Sequence, residues 1–324
     1  MGCHRSGTNL LYDMLLSSGG FAVYRGYLPV HKLLVPRFGR LDKPANRKAM
    51  MQTWLRSKGF RRSGLDAAEL TEQVLSKCRS GGDFLRLVMQ GIATRQNAAR
   101  WALYDPDAVL HLPSIKADLP EALFVHIIRD GRDIALSLRK MGGFNPFPWG
   151  RSSRSLEETA LYWEWMVSSG RKYGRQIQED YYEIHYEDLV SRPQATLSAL
   201  GQFLHHDLDY GRIQACGQGR LRETNSSFKD DPGPPPLNRW QQKLSAAEVA
   251  SLERLIGPCL EELGYRLSAP EPERRRDLSA RCKHALFLAL LSAKLWLKTE
   301  SPAGRFSDLS VLELSDALSG TDKA

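Results

Sequence analysis

Hydrophobic positions along this chain fall into two kinds of pattern, short continuous runs and helix-spaced stripes. Leu123 to Ile128 is a short apolar run broken only by His126, which predicts a buried parallel strand. Trp101 to Tyr104 and Tyr181 to Tyr186 predict two more strands. Leu10, Leu11, Met14 and Leu15 share one face of a helix over Thr8 to Ser18. Phe84, Leu85, Val88, Met89 and Ile92 form a second stripe, and Ile134, Ala135, Leu138 and Met141 a third, from Asp133 onward. Leu156, Ala160, Trp163 and Val167 form a fourth. Ser155-Leu156-Glu157-Glu158, Ser245-Ala246-Ala247-Glu248 and Asp66-Ala67-Ala68-Glu69 read as capped helix starts, and Pro193 opens another helix. Strands alternating with helices predict an α/β fold, a three-layer sandwich around a central parallel sheet.

The stripes divide the chain unevenly. Residues 1–267 read as one domain, within which 30–100 hold no convincing strand and form a mostly helical insertion. That insertion, with Trp54 and the basic residues Lys58, Arg61 and Arg62, is either a lid that selects a ligand or ordinary helical packing. Residues 268–324 read as a tail: a polar linker Pro270 to Arg276, a Leu-rich helix over Asp277 to Lys298, and loose residues from Ser301. The longest apolar stretch of that helix, Ala285 to Leu291, is far below the roughly 20 residues of a membrane span. The helix is expected to dock on the domain, with weak membrane-surface contact through 277–298 as the alternative. Asp231 to Pro236 must be a loop.

Two distant segments place an arginine at a turn that opens a helix. One is Gly2-Cys3-His4-Arg5-Ser6-Gly7-Thr8-Asn9; the other runs from Ile128 through Arg129-Asp130-Gly131-Arg132-Asp133 to Ser137. A helix N-terminus offers unpaired N–H groups and partial positive charge, so both turns suit phosphate or sulfate. Arg129 stands at the carboxyl end of its strand, where ligands of open α/β sheets bind. Arg129 and Ser137 could close on one phosphate; alternatively Arg129 is salt-bridged to Asp130 or Asp133. Two anion sites suggest a doubly phosphorylated nucleotide. Gly2 and Gly7 have the spacing of the Walker A pattern, but Thr8-Asn9 stands where Lys-Ser/Thr is needed, so the loop is poorly equipped for Mg·ATP. A nucleotide or sugar kinase therefore stays only as an alternative.

With these residues in place, the chain resembles the sulfotransferases that use 3′-phosphoadenosine 5′-phosphosulfate (PAPS). Arg5-Ser6-Gly7-Thr8 resembles their 5′-phosphosulfate loop, and Arg129 to Ser137 their 3′-phosphate motif. His185-Tyr186-Glu187-Asp188-Leu189 resembles the segment near the adenine, Arg239-Trp240 a late cofactor loop, and Ile256 to Tyr265 the closing helix. Arg5 and Asp105-Pro106 are more similar to the tyrosylprotein and carbohydrate branch than to the small-phenol branch. The resemblance implies PAPS as donor, held by Arg5, Ser6, Gly7, Thr8, Asn9, Arg129, Ser137, Tyr186 and Arg239. It implies a P-loop-type three-layer sandwich and in-line sulfuryl transfer to a hydroxyl on a peptide, glycan, lipid or small metabolite, with Arg5 among the catalytic groups. The resemblance does not cover the stretch from about Val30 to Arg100, where the helical insertion is the candidate acceptor lid.

The resemblance breaks at two points. Where that branch carries a lysine at the transferring sulfate, this chain has Tyr104. The carboxylate expected after the first helix is missing, since Phe21 to Lys32 holds no Asp or Glu; Tyr24, Arg25, Tyr27 and His31 lie there. Asp105, Asp107 and His31 are the candidate bases, with Asp105 preferred at its strand end. A PAPS-binding protein without catalysis is therefore the main rival. No metal site is expected, because the eight histidines and five cysteines form neither HExxH nor CxxC.

Composition refines the picture only slightly. An odd number of scattered cysteines, five, argues for a reduced compartment, and the expected location is cytoplasmic. The net charge of +8 is spread along the chain rather than gathered into a stripe, so nucleic acid is not an expected partner. A phosphate-binding turn normally follows a strand of about five residues. Only Met1, Gly2 and Cys3 precede this one, so a native start upstream, with a Val/Ile-rich strand before Gly2, is expected.

Overall fold

The computed structural model describes residues 1–141, 155–216, 237–274 and 277–314. The predicted Asp231 to Pro236 loop and the end of the tail lie outside them. The chain groups into two compact units, one of 1–17 with 123–294 and one of 18–122 with 295–324. Both are helix-dominated with small parallel sheets. The opening helix of the first unit, α1 (Thr8–Ser17), buries Leu10, Leu11, Met14 and Leu15 as its periodicity requires.

The second unit is built on helices. Its strands β1 (Phe21–Ala22) and β2 (Arg100–Trp101) pair in parallel, Phe21 opposite Arg100 and Ala22 opposite Trp101. The predicted strand over Trp101 to Tyr104 is thus shorter and begins one residue earlier. Between the strands run α2 (Pro44–Leu55), α3 (Ala67–Lys77) and α4 (Gly81–Arg95). Pro44 at the first turn of α2 sacrifices no hydrogen bond there. Asp66 caps α3 by accepting the Glu69 N–H at 2.8 Å. Ser80 and Asp83 form a reciprocal capping box on α4. Trp54 is fully buried between Phe84 and Phe60, both edge-on at 5.3 Å between ring centroids. Met50, Met51, Val88, Met89 and Ile92 complete this core. After β2 comes α5 (Leu112–Asp118).

Two features of this unit bear on chemistry. Residues Val30–Leu34 form a π-helical turn, with the Leu34 N–H donating to the Pro29 carbonyl and the Val35 N–H to the Val30 carbonyl. Such turns add a residue to a helix and often mark functional positions. This one carries His31 and Lys32. Pro106–Leu110 is a 3₁₀ turn capped by Asp105.

The first unit resumes at β3 (Phe124–Ile128), which pairs in parallel with β4 (Tyr181–His185), Phe124 opposite Tyr181 through Ile128 opposite His185. On the other side of β3 the Met1 ammonium donates to the Val125 carbonyl at 2.9 Å, and the Ile127 N–H to the Met1 carbonyl at 3.0 Å. Parallel pairing in the described residues thus takes the form of two two-stranded ladders, one in each unit. The β3–β4 crossover carries α6 (Gly131–Arg139) and α7 (Leu156–Gly174), the latter started by the predicted Ser155/Glu158 box. The chain continues through α8 (Tyr186–Ser191), α9 (Pro193–Leu204), α10 (Ala246–Glu262) and α11 (Leu278–Thr299). Leu10, Leu11, Met14, Ile127, Ile184, Leu189, Leu197 and Leu200 share one core. The unit boundary falls within α11, after Lys294.

Candidate active site

In the first unit, two turns converge. Arg5 takes a left-handed conformation, φ 74°, and Gly7 follows at φ 93°. A Cβ on Gly7 would lie 2.4 Å from the Tyr186 ring, so the close approach of loop to ring requires glycine. Arg5 Nε donates to Ser137 Oγ at 2.9 Å. Arg129 lies over the Tyr186 ring, 4.3 Å from its centroid, and its Nη2 donates to Asp133 Oδ2 at 3.2 Å. Ser6 Oγ is fully buried and has no hydrogen-bond partner among the described residues. Burial raises the Tyr186 phenol pKa, while the charges of Arg129 and Arg239 act to lower it, so Arg239 belongs to the same neighbourhood. Thr8 is buried at the loop end and Asn9 is exposed.

The strand-end turn is held rigidly by side chains far away in sequence. Trp163 on α7 donates from its indole N–H to the Arg129 carbonyl at 3.0 Å, and its ring leaves no room for a Cβ at Gly131. Asp130 N–H donates to Glu187 Oε1 at 3.0 Å, and Glu187 Oε2 accepts from the Tyr265 hydroxyl at 3.0 Å. Arg132 makes a bidentate pair with Asp130 at 3.0 and 2.7 Å and a third bond to Glu253 at 2.6 Å. It is 2% exposed and sits 3.7 Å from the Trp240 ring centre. Asp133 Oδ1 accepts the Trp240 N–H at 2.9 Å, which ties the Arg239-Trp240 segment to α6.

The N-terminus of α6 already holds a carboxylate, since Asp130 Oδ1 accepts the Arg132 N–H at 2.9 Å. The anion-attracting groups here are the side chains Arg5, Arg129 and Ser137, not a vacant helix end. Of the two pairings open for Arg129, the structure forms the one to Asp133; Asp130 is taken by Arg132.

The second unit holds a separate polar cluster. Asp105 accepts the Asp107 N–H at 3.1 Å. Lys32, presented by the π-helical turn, forms a salt bridge to Asp107. Burial pushes the Asp105 carboxyl well above the usual range, the Asp107 charge adds to this, and Lys32 opposes it. Burial also lifts the Tyr27 phenol to about 12, against the pull of Lys32. The Lys32 ammonium is raised, because the attraction of Asp107 and Tyr27 outweighs desolvation. His111 is buried beside them, with its pKa lowered to about 4, chiefly by desolvation. His31 points elsewhere: its Nε2 lies 2.9 Å from Asp118 Oδ2, which also accepts the Gly82 N–H at 2.9 Å at the start of α4.

The structure thus brings Arg5, Ser6, Gly7, Arg129, Ser137, Tyr186 and Arg239 into one neighbourhood of the first unit. It places Asp105 with Asp107, Tyr27 and Lys32 in the second, and pairs His31 with Asp118. Lys32 is the residue that motif reasoning missed. It reaches Asp107 from a segment 72 positions before Tyr104 in the chain. Its place beside His31 was the only signal in the sequence.

A model described as the sulfotransferase family matches residues 1–210, and this stretch includes both arginine turns and the Asp105 segment. The Sulfotransferase Domain from the Curacin Biosynthetic Pathway is similar in structure, with 18% identity and a TM-score of 0.47 over 82% of this chain and 96% of that one. No curated protein matches the chain. Since the family match takes in well over half of the sequence, including both turns that motif reasoning singled out, this enzyme belongs to the sulfotransferase family.

Proposed function

We propose that this enzyme moves a sulfuryl group from PAPS to a hydroxyl acceptor by in-line displacement. The observation that carries the reading is the Arg5–Ser137 bond beside Arg129 and Tyr186, with the buried Ser6 hydroxyl left without a partner among the described residues. A buried hydroxyl with no partner is costly unless a ligand satisfies it. Arg5, Ser6, Arg129, Ser137, Tyr186 and Arg239 therefore suit a nucleotide with two anionic groups. When bound, PAPS supplies an activated sulfuryl group on a 5′-phosphate. Arg5 and the loop amides stabilise negative charge there, Arg129 and Ser137 hold the 3′-phosphate, and the Tyr186 ring packs against the adenosine side.

Within the second unit the Asp105–Asp107–Lys32–Tyr27 cluster is the best equipped to handle an acceptor hydroxyl. Asp105 is the base in this reading, since a raised pKa favours proton acceptance near neutral pH. Lys32 takes the place of the cation absent at Tyr104. Arg5 and Asp105-Pro106 support the tyrosylprotein and carbohydrate branch, and the parallel β3–β4 ladder with its helical crossover supports a P-loop-type three-layer sandwich; the acceptor in this reading is a hydroxyl of a peptide, glycan, lipid or small metabolite. The scattered cysteines support a cytoplasmic location.

The test is incubation with labelled PAPS and a panel of hydroxyl acceptors in excess EDTA. Label transferred to at least one acceptor is the expected result. Binding of PAPS without transfer to any acceptor would favour a protein that has lost catalysis. Phosphate transfer from Mg·ATP would favour a kinase.

A further inference from the structure

Helix α11 is fastened on one side and apolar on the other. Ala280 and Leu291 are buried. His284 Nε2 lies 2.8 Å from Glu164 Oε2, the Trp165 indole N–H donates to Ser292 Oγ at 3.0 Å, and Lys283 pairs with Glu157. Glu157, Glu164 and Trp165 all belong to α7. The far side carries Leu278 at 77% exposure, Leu286 at 58%, Trp296 at 57% and Leu297 at 48%. With about 3.6 residues per turn, these four lie within one broad sector together with Cys282, Ala289, Leu290 and Ala293. The result is an apolar stripe running the length of a 22-residue helix. Large contiguous apolar patches are rare on surfaces that meet only water.

The charge on this helix identifies what covers the stripe. Residues 278–299 contain Arg281, Lys283, Lys294 and Lys298 and no Asp or Glu. Arg281 flanks the stripe on one edge and Lys294 on the other, while Lys283 is paired with Glu157. An all-cationic helix with an apolar face meets anionic headgroups and acyl chains favourably along its whole length. A second copy of the same face would set cation against cation. No helix among the described residues is long and apolar enough to cross a membrane, so the matching geometry is a helix lying in the plane of the surface. We propose that α11 is a membrane-surface anchor, seated by Leu278, Leu286, Trp296 and Leu297 in the headgroup layer of an anionic bilayer.

The test is flotation of the full chain with vesicles of phosphatidylcholine alone, or with roughly 30 mol % phosphatidylserine added. The wild type should float with the anionic vesicles at least about tenfold better than with neutral ones, and less well as salt rises. Leu286→Ser/Leu297→Ser should lose flotation on both, with an unchanged thermal transition, and Arg281→Gln/Lys298→Gln should lose mainly the anionic preference. In a Cys216→Ser background, an environment-sensitive fluorophore on the exposed Cys282 should shift to the blue on anionic vesicles. Failure of the wild type to float with either vesicle would overturn the proposal, as would undiminished flotation of the double-serine variant. A dimer that the double-serine variant breaks, in a chain that ignores vesicles, would assign the stripe to a second copy and overturn it too.

Discussion

Arg5 Nε and Ser137 Oγ share a 2.9 Å hydrogen bond across 132 positions of sequence, so the N-terminal loop and the far end of α6 form one unit of chemistry. The sequence motifs alone place them at opposite ends of a nucleotide. Arg5→Ala, Ser137→Ala and Arg129→Ala should each weaken 3′-phosphoadenosine 5′-phosphate about tenfold or more, as expected for lost charged hydrogen bonds. Adenosine 5′-monophosphate should be affected least by Arg129→Ala. The Arg5/Ser137 double variant should lose less than the sum of the singles, with a coupling of about 0.5–3 kcal/mol. Calorimetric titration of both nucleotides reads this directly, and strictly additive losses would count against a shared site.

Gly7→Ala should damage the loop more than Gly19→Ala. Both glycines have positive φ, 93° and 85°, so both substitutions pay a backbone cost. Only at Gly7 does the new Cβ collide with a ring, that of the buried Tyr186, whereas nothing lies within 4 Å at Gly19. A loss of about 1–3 kcal/mol beyond the Gly19 value is expected. Paired denaturation curves check it, and equal costs at the two positions would refute the contact.

Lys32 and Asp107 should behave as a pair. Lys32→Met leaves the buried Asp107 without its counterion; because Lys32 itself is half-exposed, the loss should lie between the surface and the buried limits, about 1–3 kcal/mol. Adding Asp107→Asn should restore much of that stability but not turnover. Recovery of turnover along with stability would reduce Lys32 to a structural role.

Asp105→Asn preserves the cap on the Asp107 N–H and removes the proton acceptor. Turnover should fall by about two to four orders of magnitude, with PAPS affinity intact. Because burial raises the Asp105 pKa, wild-type activity should climb as pH rises towards and through neutrality, when the carboxyl loses its proton. The variant's residual rate should lack that limb. An active Asp105→Asn alongside a dead His31→Ala would move the base to His31.

Acid should weaken the fold partly through His126. This side chain is fully buried on β3, its Nδ1 is 2.6 Å from the Tyr181 hydroxyl, and burial lowers its pKa to about 3. An unfolded histidine titrates near about 6.5. Between those values the unfolded chain binds the proton and the folded one does not. The stability present above about 6.5 is therefore lost as pH falls towards about 3, by up to about 1.4 kcal/mol per pH unit. His126→Leu should flatten that limb in urea melts at a series of pH values. An unchanged slope would show that other groups carry it.

Legibility followed the range of the forces involved. Periodicity and caps act within a few residues, so α1, β3 and the Ser155 and Ser245 helix starts could be read directly, as could the two arginine turns. Their boundaries shifted by a residue or two, since pairing and capping geometry decide where a ladder stops. Partner choice acts across the whole chain and left no local trace. Asp130 and Asp133 are equally plausible partners for Arg129 in sequence. Only the folded unit, with Arg132 seated between Asp130 and Glu253, frees Asp133 for Arg129. The π-helical turn that presents Lys32 has no compositional signature, because one extra residue in a helix leaves the apolar pattern nearly unchanged. The sequence by itself determined which residue types could meet an anion. The tertiary structure decided which of them are spent on one another, because a buried charge takes the nearest partner the closed chain brings to it.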